Sequence, residues 1–140
     1  MEKRIVEILK IFSPAIAILI THTYLDINDI YQAVRWIDIP MHFLGGIAIG
    51  ISYFLFLRFL QRNNYLGSMH NLVFFVFVIS LVSLTALGWE FFEFFLDLLY
   101  PMKEGLGTSQ PTVQDTMTDL LIGLTGGFIG YLLTLKHYKR

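Results

Sequence analysis

The sequence predicts an all-α polytopic membrane protein, with four transmembrane helices and one short amphipathic helix at the interface. Three observations carry that reading. The 140-residue chain is 55% hydrophobic, with a mean hydropathy of +0.61. Charged residues make up 15% of it, against roughly 25% in soluble domains. The apolar residues gather into four runs, each near the about 20 residues a helix needs to cross a hydrocarbon core. A chain of this length has room for a single domain, residues 1–140.

The first run extends from about Ile5 to Thr21. Its basic start resembles a signal peptide, but Pro14 interrupts the apolar stretch and no small-x-small cleavage site follows. We read it as a retained first helix with Pro14 as a kink point. The second run covers about Pro40 to Leu60, the third Asn71 to Leu99, and the fourth Val113 to Leu135. The third is long enough to project beyond the hydrocarbon. Between the first two, INDIYQAVRWI spaces Ile27, Ile30, Tyr31, Val34 and Ile37 at helical intervals. That pattern predicts the interfacial helix over Ile27–Ile37, started by Asn28 or Asp29 and anchored by Trp36. The loop Tyr100–Thr112, with Pro101, Gly105, Gly107 and Pro111, reads as irregular turn.

Charge asymmetry orients the spans. Lys3, Arg4, Lys10, Arg58, Arg62, Lys136, Lys139 and Arg140 fall on one side of a four-helix weave; Arg35 and Lys103 fall on the other. The positive-inside rule makes the basic side cytoplasmic, with both termini inside a plasma membrane. A net charge of −1 and a pI near 6.4 leave no basic footprint for nucleic acid. The absence of cysteine excludes disulfides, thiolate catalysis and thiolate-bound metal.

Glycines mark packing faces. Gly46 and Gly50 are four apart, as are Gly123 and Gly127, and Gly126 and Gly130. Small residues at this spacing let membrane helices approach closely, so the second and fourth spans should touch each other or the third.

The functional signal is acidic. Glu90 and Glu93 lie in LGWEFFEFFLD, and Asp115 and Asp119 in TVQDTMTDLL. A charge at membrane depth is costly and normally faces a protein interior or a cavity. Glu90 and Glu93 share a helix face, which Asp97 continues one turn on. Asp115 and Asp119 share another. His42 opens the second span, four residues after Asp38, which Pro40 makes an N-cap candidate. Glu90 lies about 28 Å along its helix from Asn71, near the outer edge of a core about 30 Å thick. Three segments thus deliver His42, Glu90, Glu93, Asp115 and Asp119 to one membrane level. Clustered carboxylates need protons, cations or a metal beside them, and no Lys or Arg of the four runs lies at that level. A divalent cation is the simplest solution: an oxygen-rich set with one imidazole suits Mg, Mn, Ca or Fe and admits Zn. His22, His70 and His137 lie near helix ends and are expected to be solvated, with His22 as a marginal extra ligand. Separate structural roles also fit these residues. Asp115 fits a helix cap, and Asp97 fits an interfacial acid.

Read together, DIPMHFLGG, GWEFFEF and VQDTMTDLLIGLTGGFIG resemble the pattern of small VanZ-like and YjdF-like integral membrane proteins, over roughly residues 38 to 131. The resemblance implies an Asp/His segment opening one helix, an acidic helix, and an Asp-x-x-x-Asp helix ending in glycines. It points to His42, Glu90, Glu93, Asp115 and Asp119. The Arg that VanZ-like members carry near their Asp helix has no counterpart here, where Thr112 and Gln114 stand.

Two functions are therefore expected to compete. One is a metal-dependent hydrolase or transferase acting on a lipid or lipid-linked substrate at the outer leaflet, with Glu90 or Glu93 as general base. The other is a non-enzymatic membrane protein whose cluster binds a cation for structural or ion-handling purposes. Against a transport path, no acid lies deep in the inner half of any run.

Overall fold

The computed structural model describes residues 2–99 and 112–138. It comprises helices α1 (Glu2–Ile27), α2 (Ile30–Ala33), α3 (Asp38–Arg62), α4 (Asn71–Leu99) and α5 (Val113–Tyr138), with a 3₁₀ turn over Arg35–Ile37 before α3. Four of these, counting the 3₁₀ turn with α3, are long and apolar enough to cross a membrane. No strand occurs among the described residues.

The spans exceed their apolar runs, because polar residues extend the helices past the hydrocarbon at both ends. Helix α1 continues through Pro14. A proline removes the hydrogen bond to the carbonyl four residues back, which here belongs to Lys10. The Ser13 hydroxyl donates to that carbonyl at 2.8 Å and so satisfies it.

The expected amphipathic helix over Ile27–Ile37 is divided. Asp29 adopts a left-handed conformation (φ 56°), which ends α1 and leaves α2 only four residues long. Val34 (φ −137°, ψ 71°) then separates α2 from the 3₁₀ turn. Sequence periodicity could not anticipate the Asp29 turn, since the apolar spacing runs through it. The irregular turn expected over Tyr100–Thr112 lies outside the described residues, except for Thr112.

The bundle is organised around α3 and α5. A Cβ built on Gly46 or Gly50 would overlap the carbonyl of Gly123 or Gly127, respectively; one on Gly126 or Gly130 would overlap that of Phe43 or Ile47. The two backbones therefore lie in direct contact, running parallel. Helix α4 fits antiparallel against them: Val82 fills the place of a side chain at Gly127, and Ala86 stands over Gly123. Below this, toward the chain termini, Phe54, Leu57, Phe74, Val78, Val82 and Tyr131 form a closed apolar core. Phe54 meets Phe74 and Tyr131 with ring centroids 5.1 and 5.5 Å apart, separations at which tilted aromatic pairs add to the stability from burial. The Arg58 guanidinium covers this core, 4.3 Å from the Phe74 centroid and 5.1 Å from that of Tyr138. At the same end Arg62 pairs with Glu7, and Arg4 donates to the Tyr65 hydroxyl at 2.6 Å. Both termini of the described chain thus lie at one end of the bundle.

Overlap with a carbonyl leaves no room for repacking. Gly126→Ala should cost about 3 kcal/mol, the upper part of the range for overpacking. Gly88, whose Cβ position has nothing within 4 Å, is the control: Gly88→Ala should be neutral or stabilising by up to about 1 kcal/mol. Thermal unfolding in detergent would measure both.

Candidate functional site

The glycine contacts continue, one helical turn outward, into the polar cluster. The offset that pairs Gly46 with Gly123 and Gly50 with Gly127 pairs His42 with Asp119. The antiparallel register that sets Val82 against Gly127 and Ala86 against Gly123 likewise sets Glu90 against Asp119. Glycine and alanine make the helices close-fitting. The next turn replaces them with ionisable groups, which are forced together.

His42 is the centre of the result. Its Nε2 faces Asp38 Oδ1 at 3.4 Å, and its Nδ1 faces Glu90 Oε1 at 3.8 Å. Two sets of possible ligand atoms, each within 4.8 Å of one another, share this imidazole: Asp38, His42 and Asp119 on one side, and His42, Glu90 and Glu93 on the other. Glu90, Glu93 and Asp119 are 4%, 8% and 5% exposed, so the carboxylates are withdrawn from lipid as the cost of charge at this depth requires.

Four of the five residues expected from the sequence, His42, Glu90, Glu93 and Asp119, are brought together. Asp115 is not in either set. It is half-buried one turn beyond Asp119, at the third position of α5. Its backbone N–H donates to the Thr112 hydroxyl at 3.1 Å, so Thr112 caps the helix and Asp115 adds a favourable charge to the first turn. Asp97 is half-buried outside both sets.

Asp38 is not the N-cap that its place before Pro40 suggests. It is already helical (φ −60°, ψ −48°), and Ile37 holds the cap position. Pro40 is compatible with this, because first-turn N–H groups have no intrahelical acceptor to lose. The Asp38-x-x-x-His42 spacing was the available signal: on a helix, it places the two side chains on one face.

His22 also departs from expectation. It is half-buried and its Nδ1 lies 2.7 Å from the Tyr31 hydroxyl. Its ring stands edge-on to Trp89, centroids 4.6 Å apart. His70 and His137 are exposed, as expected. Tyr31 reaches His22 without any sequence signal, since its apolar spacing suggested a membrane-facing side chain. The turn at Asp29 redirects it. Burial, followed by the charges of Asp38, Glu93 and Asp26, pushes the Tyr31 phenol above its ordinary range. It stays protonated and can donate.

These features define a small polytopic membrane protein with a buried His–carboxylate cluster where three helices meet at one end of the bundle. The chain belongs to the DUF2238 family of predicted membrane proteins, which matches residues 4–140. No curated protein and no solved structure matches it.

A phenol whose folded-state pKa is raised stabilises the fold fully below its unfolded value, near pH 10. That contribution is lost as pH rises from there through the folded value, because the folded state then binds more protons than the unfolded one. Tyr31→Phe should therefore flatten the alkaline decline in melting temperature above about pH 10. An unchanged alkaline slope in the variant would place Tyr31 in water.

Proposed function

We propose that this protein is a membrane-embedded, metal-dependent hydrolase or transferase acting on a lipid or lipid-linked substrate. Its ion would sit between His42 Nδ1, Glu90 and Glu93. The observation that carries the proposal is the shared imidazole. Two buried glutamates from one helix and a histidine from another present ligand atoms within 4.8 Å of one another. Three ligands about 2.0–2.2 Å from one ion lie about 3.3–3.8 Å apart, so the longest of these separations would close by about 1 Å on binding. Asp38 lies at the other ring nitrogen, 3.4 Å away, where a carboxylate orients a metal-bound histidine and raises its basicity. Three protein ligands leave positions for water and a substrate oxygen. The metal would polarise a phosphoryl or carbonyl oxygen and acidify water. Asp119, on the far side of His42, is the acid best placed to take up a proton. The set admits Mg, Mn, Ca, Fe or Zn.

The orientation we propose has both termini cytoplasmic in the plasma membrane and the cluster near the outer face. The eight-to-two division of basic residues supports it, as does the gathering of Arg4, Arg58 and Arg62 at the end bearing both termini. Buried acids lie only at the opposite end among the described residues, which favours a one-sided site over an ion path. The VanZ-like motif pattern around His42, Glu90, Glu93, Asp115 and Asp119 is consistent with this reading.

A second reading rests on His42 itself. With carboxylates at both ring nitrogens, its imidazolium form would balance the cluster without metal, and the site would be structural.

Metal analysis and melting separate the two. Wild-type protein purified in detergent should carry a divalent metal, and Glu90→Gln and Glu93→Gln should lose it. Chelator should lower the melting temperature, and one added metal should restore it. An ion at a hundredfold excess over its Kd contributes about 2.7 kcal/mol. Asp97→Asn, outside both sets, should respond as wild type does. Absence of metal together with a chelator-insensitive melt would leave the structural reading.

Orientation has its own check. Cysteine placed at Asn63 should react with an impermeant thiol reagent only after cells are opened. Labelling of intact cells at that position would reverse the topology.

A further inference from the structure

Beside the cluster lies a cavity of about 320 Å³, walled by α1, α3 and α4 and closed at the back by Gly123. That volume is within the range of ligand pockets. Its body is apolar, formed by residues such as Ile16, Leu19, Ile49 and Val82. Four lining residues carry polar atoms: His22, His42, Thr85 and Trp89. Two of them have partners of their own. The Thr85 hydroxyl bonds to the Tyr53 hydroxyl at 2.8 Å and to the Leu81 carbonyl at 2.9 Å. His22 is paired with Tyr31 through Nδ1. Polar chemistry for an occupant is concentrated at the end of the cavity that bears His22, His42 and Trp89.

The dimensions fit one leaflet. Along α1 the cavity runs from His22 to Phe12, about 15 Å at 1.5 Å per residue, or half of a hydrocarbon core about 30 Å thick. Phe12 and Tyr53, ring centroids 5.9 Å apart, close its inner end. Helix α1 packs along α3 without comparable packing on α4, and its wall residues Ile16 and Leu19 are 40% and 51% exposed. The gap faces the bilayer.

We infer that this cavity takes the hydrocarbon chain of a membrane lipid, which enters sideways between α1 and α4 and brings the lipid's polar end to His42. The inference builds on the reading of the cluster as a site for lipid chemistry, and supplies its substrate class.

Tryptophan fluorescence gives the test. Trp36→Phe leaves Trp89, in the cavity wall, as the sole tryptophan. Detergent-purified protein on this background is titrated with a single-chain phosphatidylcholine brominated in its acyl chain. Quenching should saturate. Two variants should weaken it at least tenfold: Ala15→Phe, which fills the cavity from α1, and Gly45→Leu. A Cβ at Gly45 meets only Ile18 Cγ2 at 3.7 Å, so one variant remains if the other misfolds. Ala17→Phe, on the exposed face of α1, should bind as the parent does.

Quenching that never saturates, or that is equal in all folded variants, overturns the inference. So does a dimer that Ala15→Phe dissociates, because the gap would then be a subunit contact. Measuring metal on the same samples separates this from the site itself. Saturable quenching that survives Glu90→Gln supports the cavity whether or not metal is found. Unsaturable quenching in metal-bearing protein removes the cavity proposal and leaves the metal reading intact.

Discussion

Contact between the backbones of α3 and α5 is the constraint on which the rest of this structure depends. In a bilayer, the hydrophobic effect gives helices no reason to prefer each other over lipid tails. Association comes from close packing, and close packing needs small residues. Gly46, Gly50, Gly126 and Gly130 allow carbonyls of one helix to occupy the space where the other would carry Cβ atoms. This contact fixes distance and register together. Once Gly46 faces Gly123, His42 must face Asp119. Once Val82 is seated at Gly127, Glu90 must arrive at the same level. The polar cluster is a consequence of glycine packing one turn away.

The two ends of the bundle divide the work. The end bearing both termini is closed, aromatic and capped by Arg58, and it supplies stability. The other end carries Glu90, Glu93 and Asp119 in buried positions and a cavity beside them. Buried charge and unfilled volume both reduce stability. Their concentration at one end, against a well-packed opposite half, is the pattern of a functional site supported by a rigid scaffold.

Helix α1 stands apart from this core. It has one buried residue, Ile11, and is fastened mainly near its ends. Arg62–Glu7 and Arg4–Tyr65 hold it at one end; His22, between Tyr31 and Trp89, holds it at the other. Between these fastenings it forms the outer wall of the cavity. A helix held in this way can admit a chain beside it without disturbing the glycine contacts that place the cluster.

Much of this was determined by the sequence itself. Apolar runs separated by polar segments dictate four spans, because backbone polar groups must be satisfied within each helix in lipid. Glycine spacing dictates that those helices pack closely, and acids in apolar runs dictate an internal polar site. His42, Glu90, Glu93 and Asp119 were legible for that reason. What only the tertiary structure decided depends on chain direction and register. Helical spacing could not say that Asp38 lies within the α3 helix facing His42, or that Asp115 serves the α5 cap beside Thr112. Nor could it show that Asp29 turns Tyr31 inward onto His22, since a single left-handed residue leaves no trace in apolar periodicity. The cavity was equally invisible. It exists because α1 packs on α3 and not on α4, and the space between two helices is a property of neither sequence segment alone.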